Sequence, residues 1–340
     1  MRRLAVLLLA AACSSSSTAS VHPGRTDSSP AVTLSPASRP TTSTSAPLTP
    51  GAPPTRVRWS AGQPLPRAVS EVGVAALGTD VHVLGGYVDG HPHSTTHLVL
   101  DTTTGRWHTA APLPQALDHV GVVALSGRLW AIGGYGASPG GSSRVYSWDE
   151  ASDHWTDEAP LPDRRAAGVA VVLDGKIHYV GGKSGGVDVA EHDVYDPATK
   201  TWVTAAPMPT ARDHAAGAVV DGQIYIAAGR PHDLTSLLSY DPVADRWATL
   251  PPLPLGRSAV AGASFGHRFV VLGGEHPAEQ SVDTEVDAYD PVSHRWSRLP
   301  DLPAGRQGIG AAVVGDTLYL PGGGPTGGGS RQSDTLLLLS

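Results

Sequence analysis

The stretch TRVRWSAGQPLP, residues 55–66, places a tryptophan and a proline turn at the head of a folded region, straight after a long run of Ser, Thr and Pro. The same signature recurs as GRWHTAAPLP (105–114), DHWTDEAPLP (153–162), KTWVTAAPMP (200–209), DRWATLPPLP (245–254) and HRWSRLPDLP (294–303). In each later copy the Trp closes a segment that began with a strand-like run. Only Trp59 has nothing before it.

The tryptophans at 59, 107, 155, 202, 247 and 296 follow one another at intervals of 45–49 residues. Pairs of small residues keep the same step: Gly85-Gly86, Gly133-Gly134, Gly181-Gly182, Ala228-Gly229, Gly273-Gly274 and Gly322-Gly323. Two unrelated features sharing one period mark a repeat architecture. Within a unit the sequence reads as four strands. A run of small and β-branched residues (VGVVAL, GVAVVL) is followed by a tight turn, which at Asp174-Gly175 and Asp221-Gly222 favours type I′. The second strand ends in the small pair, where a missing Cβ permits close approach of another segment. The third ends in VYDP, SYDP or AYDP in three units, a Tyr-Asp corner, and Asp101, Asp149, Asp196, Asp241 and Asp290 each stand six residues before the next Trp. The fourth carries that Trp, expected to pack between units.

Paired Gly, Tyr-Asp corner and spaced Trp together resemble the kelch repeat, over residues 57–340. The resemblance implies an all-β fold: a six-bladed kelch-type β-propeller with four antiparallel strands per blade around a central channel. The last unit ends at SDTLLLLS without a fourth strand, and Leu338 is aligned with Tyr289 of the preceding unit. The segment RVRWSAG therefore completes the sixth blade, and the ring closes by strand pairing, leaving no exposed edge.

The chain opens MRRLAVLLLAAACSSSS. A basic start and a nine-residue apolar run, too short to span a bilayer, predict an export signal. Cys13, the only cysteine of the chain, stands where the lipobox of bacterial lipoproteins has its lipidated Cys, although Ala10 replaces the more usual Leu. Residues 1–13 thus resemble a lipoprotein signal peptide. Residues 14–56 hold 19 Ser or Thr and 8 Pro, a composition expected to form a disordered tether spanning roughly 35 Å. The implied location is the outer face of the cell membrane, reached through a lipid anchor. The net charge is −7, and residues 1–56 are basic, so the propeller region is strongly acidic. Such a balance argues against nucleic acid or anionic lipid as partner of the head.

Several strings only look catalytic. GKSGG (182–186) and GASFG (262–266) match G-x-S-x-G, but neither precedes a helix, as a nucleophile elbow requires. Galactose oxidase has a similar propeller, but its copper chemistry depends on a Cys-Tyr cross-link, and the propeller region here has no Cys. No His spacing matches a recognised metal site, so no metal and no cofactor are expected. Asp118-His119 and Asp213-His214 hold equivalent repeat positions; neighbours on a strand point to opposite faces, so a structural role is expected for these histidines.

The candidate ligand-binding face bears the loops entering each first strand and those following each small pair. Arg165, Arg212, Arg257 and Arg306 recur in register there, where blades 1 and 2 have Val69 and Leu117. At a channel mouth they would form a basic ring suited to carboxylates or phosphates. Positions that break the repeat are Glu71, Tyr87, Tyr135, Lys183, Arg230 and Glu275, a polar and aromatic set of the kind binding sites use. The function expected is a binding or interaction module for an anionic small molecule, glycan or peptide. The alternative is a carbohydrate-active enzyme resembling the kelch-type sialic-acid mutarotase.

Overall fold

The computed structural model describes residues 57–340, so the signal peptide, Cys13 and the Ser/Thr/Pro segment lie outside the described residues. Six four-stranded antiparallel sheets follow one another as blades. Blade 1 consists of Gly73–Leu77, Asp80–Leu84, His97–Asp101 and Arg106–Thr109. Blades 2 to 5 repeat this order, with first strands Gly121–Leu125, Val169–Leu173, Ala216–Val220 and Ala261–Phe265.

Blade 6 is built from both ends of the propeller. Ala312–Val314, Thr317–Pro321 and Leu336–Leu339 supply three strands, and Trp59–Ala61 is the fourth. Trp59 pairs with Leu339, as Trp296 pairs with Tyr289 in blade 5. Leu339, not Leu338, therefore takes the Tyr289 position. The four-leucine run, lacking a Tyr-Asp corner, carries no internal mark of its register. Leu318, Leu320, Leu337 and Leu339 are buried against blade 5 with Val57 and Trp59 at the edge of the cluster, each contributing about 1.5–3 kcal/mol.

Each feature of the repeat has a physical duty. The six tryptophans of the repeat all donate their indole N–H across the blade boundary, for example Trp107 to Gln63 O at 2.9 Å and Trp202 to Ala159 O at 2.8 Å. The second residue of each small pair donates its N–H to the next blade, as Gly134 does to Arg165 O at 2.9 Å. A Cβ on Gly182 would stand 2.6 Å from Ala166 O, which excludes larger residues there. Asp174 and Gly175 have φ of 50° and 72°, the left-handed pair of a type I′ turn. The first strands line the channel with small side chains such as Val74, Val122 and Ala263. The wall of the channel is thus apolar and bland, and its chemistry gathers at one end.

Candidate functional site at the channel mouth

Just before each first strand, one residue turns into the left-handed region: Glu71 (φ 54°), His119 (50°), Ala167 (55°), His214 (52°), Ala259 (53°) and Gly308 (59°). Such angles are costly for residues with a Cβ. Here they are held by a closed circuit of backbone hydrogen bonds. His119 N–H donates to Glu71 O (3.0 Å), Ala167 to His119 (3.1 Å), His214 to Ala167 (3.1 Å), Ala259 to His214 (3.0 Å), Gly308 to Ala259 (3.0 Å) and Glu71 to Gly308 (2.7 Å). One residue per blade therefore rings the axis, around a cavity of about 100 Å³.

Three of the six carry chemistry. His119 Nε2 lies 3.0 Å from Glu71 Oε2, and its Nδ1 lies 2.5 Å from Asp118 Oδ1. His214 Nδ1 stands 3.1 Å from Asp213 Oδ1, and the two imidazole rings are 4.8 Å apart between centroids. The Asp-His neighbours do touch, contrary to the strand argument. Left-handed φ at each His folds its ring back toward the preceding carboxylate, so the alternation of a strand does not apply.

The residues after the small pairs complete the site, because antiparallel bridges tie them to the segment before each ring residue: Asp118 with Tyr135, Ala166 with Lys183, Asp213 with Arg230 and Ser258 with Glu275. Tyr87 and Tyr135 stand edge-on to His119, with centroids 5.9 and 5.3 Å away. Lys183 Nζ bridges Asp213 Oδ2 (3.1 Å) and Asp188 Oδ1 (3.0 Å). Arg230 is ion-paired with buried Glu275 through Nη2, and its Nη1 lies 3.5 Å from His214 Nε2. Glu275 Oε2 also accepts the N–H of Gly328 at 2.7 Å.

Charge follows from these contacts. Burial opposes the charge on His119, yet the Glu71 charge and bonds to Asp118 and Glu71 outweigh it and hold the imidazole up at about 10. Burial likewise opposes ionisation of Glu71, and His119 overcomes it, lowering Glu71 to about 2. For His214 burial prevails, with the His119 charge adding to it, and its pKa falls below the ordinary value despite Asp213. At neutral pH the mouth thus holds a cationic His119 beside a neutral His214. Burial, with the Asp118 charge behind it, pushes Tyr87 up to about 12.

All six repeat-breaking residues, Glu71, Tyr87, Tyr135, Lys183, Arg230 and Glu275, gather at this mouth. The four in-register arginines do not. Arg165, Arg212, Arg257 and Arg306 are buried, and their guanidinium groups turn into the blades. Arg212 donates to Ala228 O (3.2 Å) and Ser236 Oγ (2.7 Å), Arg257 to Gly273 O (2.7 Å) and Asp287 Oδ2 (2.9 Å), and Arg306 to Gly322 O (2.9 Å). Arg165 pairs with Asp193 and lies over the Tyr179 ring. Each of these arginines is spent on internal partners, so the expected basic ring is corrected to a set of scaffold bonds. His119 and His214, with Asp118 and Asp213, are functional candidates and not only structural residues. The register held a signal for them: Glu, His and His occupy a position that elsewhere is Ala or Gly.

Glu71, His119 and His214 also form a candidate ligand set for a metal ion, with one donor atom of each lying within 4.8 Å of the others. The expectation of no metal site rested on spacing along the chain, but these residues come from blades 1, 2 and 4 and meet only through the ring.

Comparison with known proteins places the fold. Residues 71–274 match the family described as KLHDC2/KLHL20/DRC7 Kelch-repeats domain, and residues 256–303 match the Kelch motif. Among curated proteins none matches the chain. A solved structure titled "Structure of YjhT" is similar with a TM-score of 0.71, covering 81% of this chain and 96% of that one at 18% identity. At that identity the likeness is one of fold.

Proposed function

The chain belongs to the kelch-repeat family, and on that footing we propose that it is a binding propeller, exported and lipid-anchored through Cys13, whose channel mouth takes a glycan. The single observation behind this reading is the contrast between an apolar channel wall and a mouth where Glu71, His119, His214, Lys183, Arg230 and Tyr135 converge. Kelch propellers commonly act as binding or interaction modules, which agrees with it.

The ligand class follows from the charge pairing. Every cation of the mouth already faces a carboxylate: His119 faces Glu71 and Asp118, Lys183 faces Asp188 and Asp213, and Arg230 faces Glu275. A fully anionic ligand would have to displace those partners. A polyhydroxylated ligand donates to the carboxylates and accepts from the cations, while tyrosine edges flank its apolar faces. A thermal-shift screen of the full chain against neutral sugars, acidic sugars, muropeptides and acidic peptides tests this. Stabilisation by a sugar, lost in Tyr135→Ala, is the expected result; stabilisation by acidic peptides alone would sink the glycan reading.

A second reading has its own observation, the cationic His119 beside the neutral His214. An acid and a base within reach of one ligand can open a sugar hemiacetal: His214 removes the proton of the anomeric hydroxyl, the bond to the ring oxygen breaks, and His119 protonates that oxygen. Rotation and reclosure give the other anomer. Anomer exchange monitored by NMR separates turnover from binding alone.

A further inference from the structure

We infer that Glu71, His119 and His214 form a site for one divalent first-row transition ion, centred on the propeller axis. Two imidazoles and a carboxylate are the donor set that zinc and its first-row neighbours accept, whereas calcium and magnesium prefer sites made of oxygen alone.

Geometry supports the assignment at three levels. The candidate donor atoms lie within 4.8 Å of one another, and His119 Nε2 and Glu71 Oε2 are 3.0 Å apart. Donors sharing an ion at bonds of ~2.1 Å lie about 3.0–3.4 Å from each other, so closing the set asks for about 1 Å of side-chain movement. The three ligands also sit on the closed backbone circuit, which fixes their Cα positions without help from the ion. The histidines are, further, already oriented as metal ligands are. His119 Nδ1 is hydrogen-bonded to the carboxylate of Asp118 at 2.5 Å, and His214 Nδ1 stands 3.1 Å from Asp213 Oδ1 without a hydrogen bond, so both rings turn Nδ1 toward the preceding carboxylate and leave Nε2 for the axis. A carboxylate behind the imidazole is the usual partner that sets the tautomer and raises the basicity of a ligating His.

The rest of the ring leaves room. Ala167, Ala259 and Gly308 present little or no side chain, and a Cβ on Gly308 would stand 2.5 Å from Glu71 Cδ. Glycine there is what allows the Glu71 carboxylate to occupy the axis. Water or a ligand oxygen would complete the coordination of an ion held by three side chains. Arg230 approaches His214 Nε2 at 3.5 Å and has to withdraw toward Glu275 and solvent when an ion enters; its side chain is 30% exposed. The inference shares the mouth with the proposed glycan site but rests only on these three side chains, so it is tested with no sugar present.

The full chain, without a polyhistidine tag, is stripped with chelator and dialysed against Zn²⁺, Co²⁺ or Mg²⁺, and bound metal is counted by mass spectrometry. One Zn²⁺ per chain, a cobalt visible spectrum of nitrogen and oxygen ligation, and no retained Mg²⁺ are expected. His214→Ala and His119→Ala should each weaken Zn²⁺ at least 100-fold, and Asp213→Asn about 10- to 100-fold. Unchanged circular dichroism of the stripped His214→Ala protein verifies that the fold survives; the substitution leaves the Glu71–His119 pair in place and removes the contacts of His214 with Asp213 and Arg230. Zinc below 0.2 equivalents in the wild type, or one equivalent retained in both histidine variants, overturns the site. Sugar stabilisation that persists in the stripped protein leaves the glycan reading standing when the metal fails.

Discussion

Trp59 donates its indole N–H to the carbonyl oxygen of Pro300 at 2.8 Å, across 241 positions of sequence. The other five tryptophans of the repeat make the same bond to a residue 41–45 positions back. Trp59 looks different in sequence because its blade is the one that closes the circle, and in space it is equivalent to the rest.

Deleting residues 57–62 removes the fourth strand of blade 6, this indole bond, and the pairing of Arg58 with Ser340. It also exposes the edge formed by Leu336–Leu339. The deleted protein should melt at least 10 °C lower or aggregate on expression. A melting temperature equal to that of the intact chain would contradict closure by this strand.

The buried arginines predict a stability phenotype. Arg257→Ala leaves Asp287 buried and three backbone carbonyls without their donor. Removing one partner of a buried ion pair costs about 3–5 kcal/mol. Chemical denaturation should show a loss of that order. A variant of full stability that had lost ligand affinity would instead return these arginines to the binding surface.

A pH dependence comes from two buried histidine pairs that pack between blades. His82 Nδ1 lies 3.0 Å from His97 Nε2, and His178 Nδ1 lies 2.8 Å from His192 Nε2. His97 Nδ1 donates in turn to Ala111 O at 2.9 Å. Burial holds all four rings neutral, His82 at about 3 and the others at about 4. His108 and Asp153 face the first pair, and Asp174, Lys176 and Asp245 face the second. In the unfolded chain these rings take up protons near pH 6.5, so their stabilisation is complete above that pH and drains away as pH falls toward 4. Each ring contributes a slope of about 1.4 kcal/mol per pH unit in that window. Melting temperature should therefore drop steeply between pH 6.5 and 4, and less steeply in a His178→Gln, His192→Gln variant. Protonated His178 in the folded protein at pH 6, seen by NMR, would refute the assignment.

The proposed anchor predicts that Cys13→Ser releases the protein into the medium or leaves unprocessed precursor. Two or more acyl chains hold a protein on a bilayer far more firmly than one. Membrane fractionation identical to wild type would remove lipidation from the account.

Blade number, strand order and ring closure were legible because tryptophan, paired glycine and the Tyr-Asp corner each recur for a local reason that a period exposes. The register of blade 6 was legible only to within one residue, since Leu336–Leu339 offers four equivalent side chains. At the mouth, Glu71, Tyr87, Tyr135, Lys183, Arg230 and Glu275 stood out as departures from the repeat. The arginines misled because recurrence in register was read as presentation at the surface, whereas they recur to satisfy carbonyls such as Gly273 O and Gly322 O. His119 and His214 were hidden by the assumption of strand geometry, which their positive φ removes. What places them on one axis is the hydrogen-bonded ring, a relation among six blades that no single repeat contains.

In the proposed function the axial mouth receives the ligand. Imidazole nitrogen NMR of the labelled full chain tests it most directly, because the mouth and the core each hold histidines. Titration with the tightest-binding sugar of the screen should shift the His119 and His214 resonances and leave His82, His97, His178 and His192 in place. Saturable binding that leaves His119 and His214 unmoved would contradict the account.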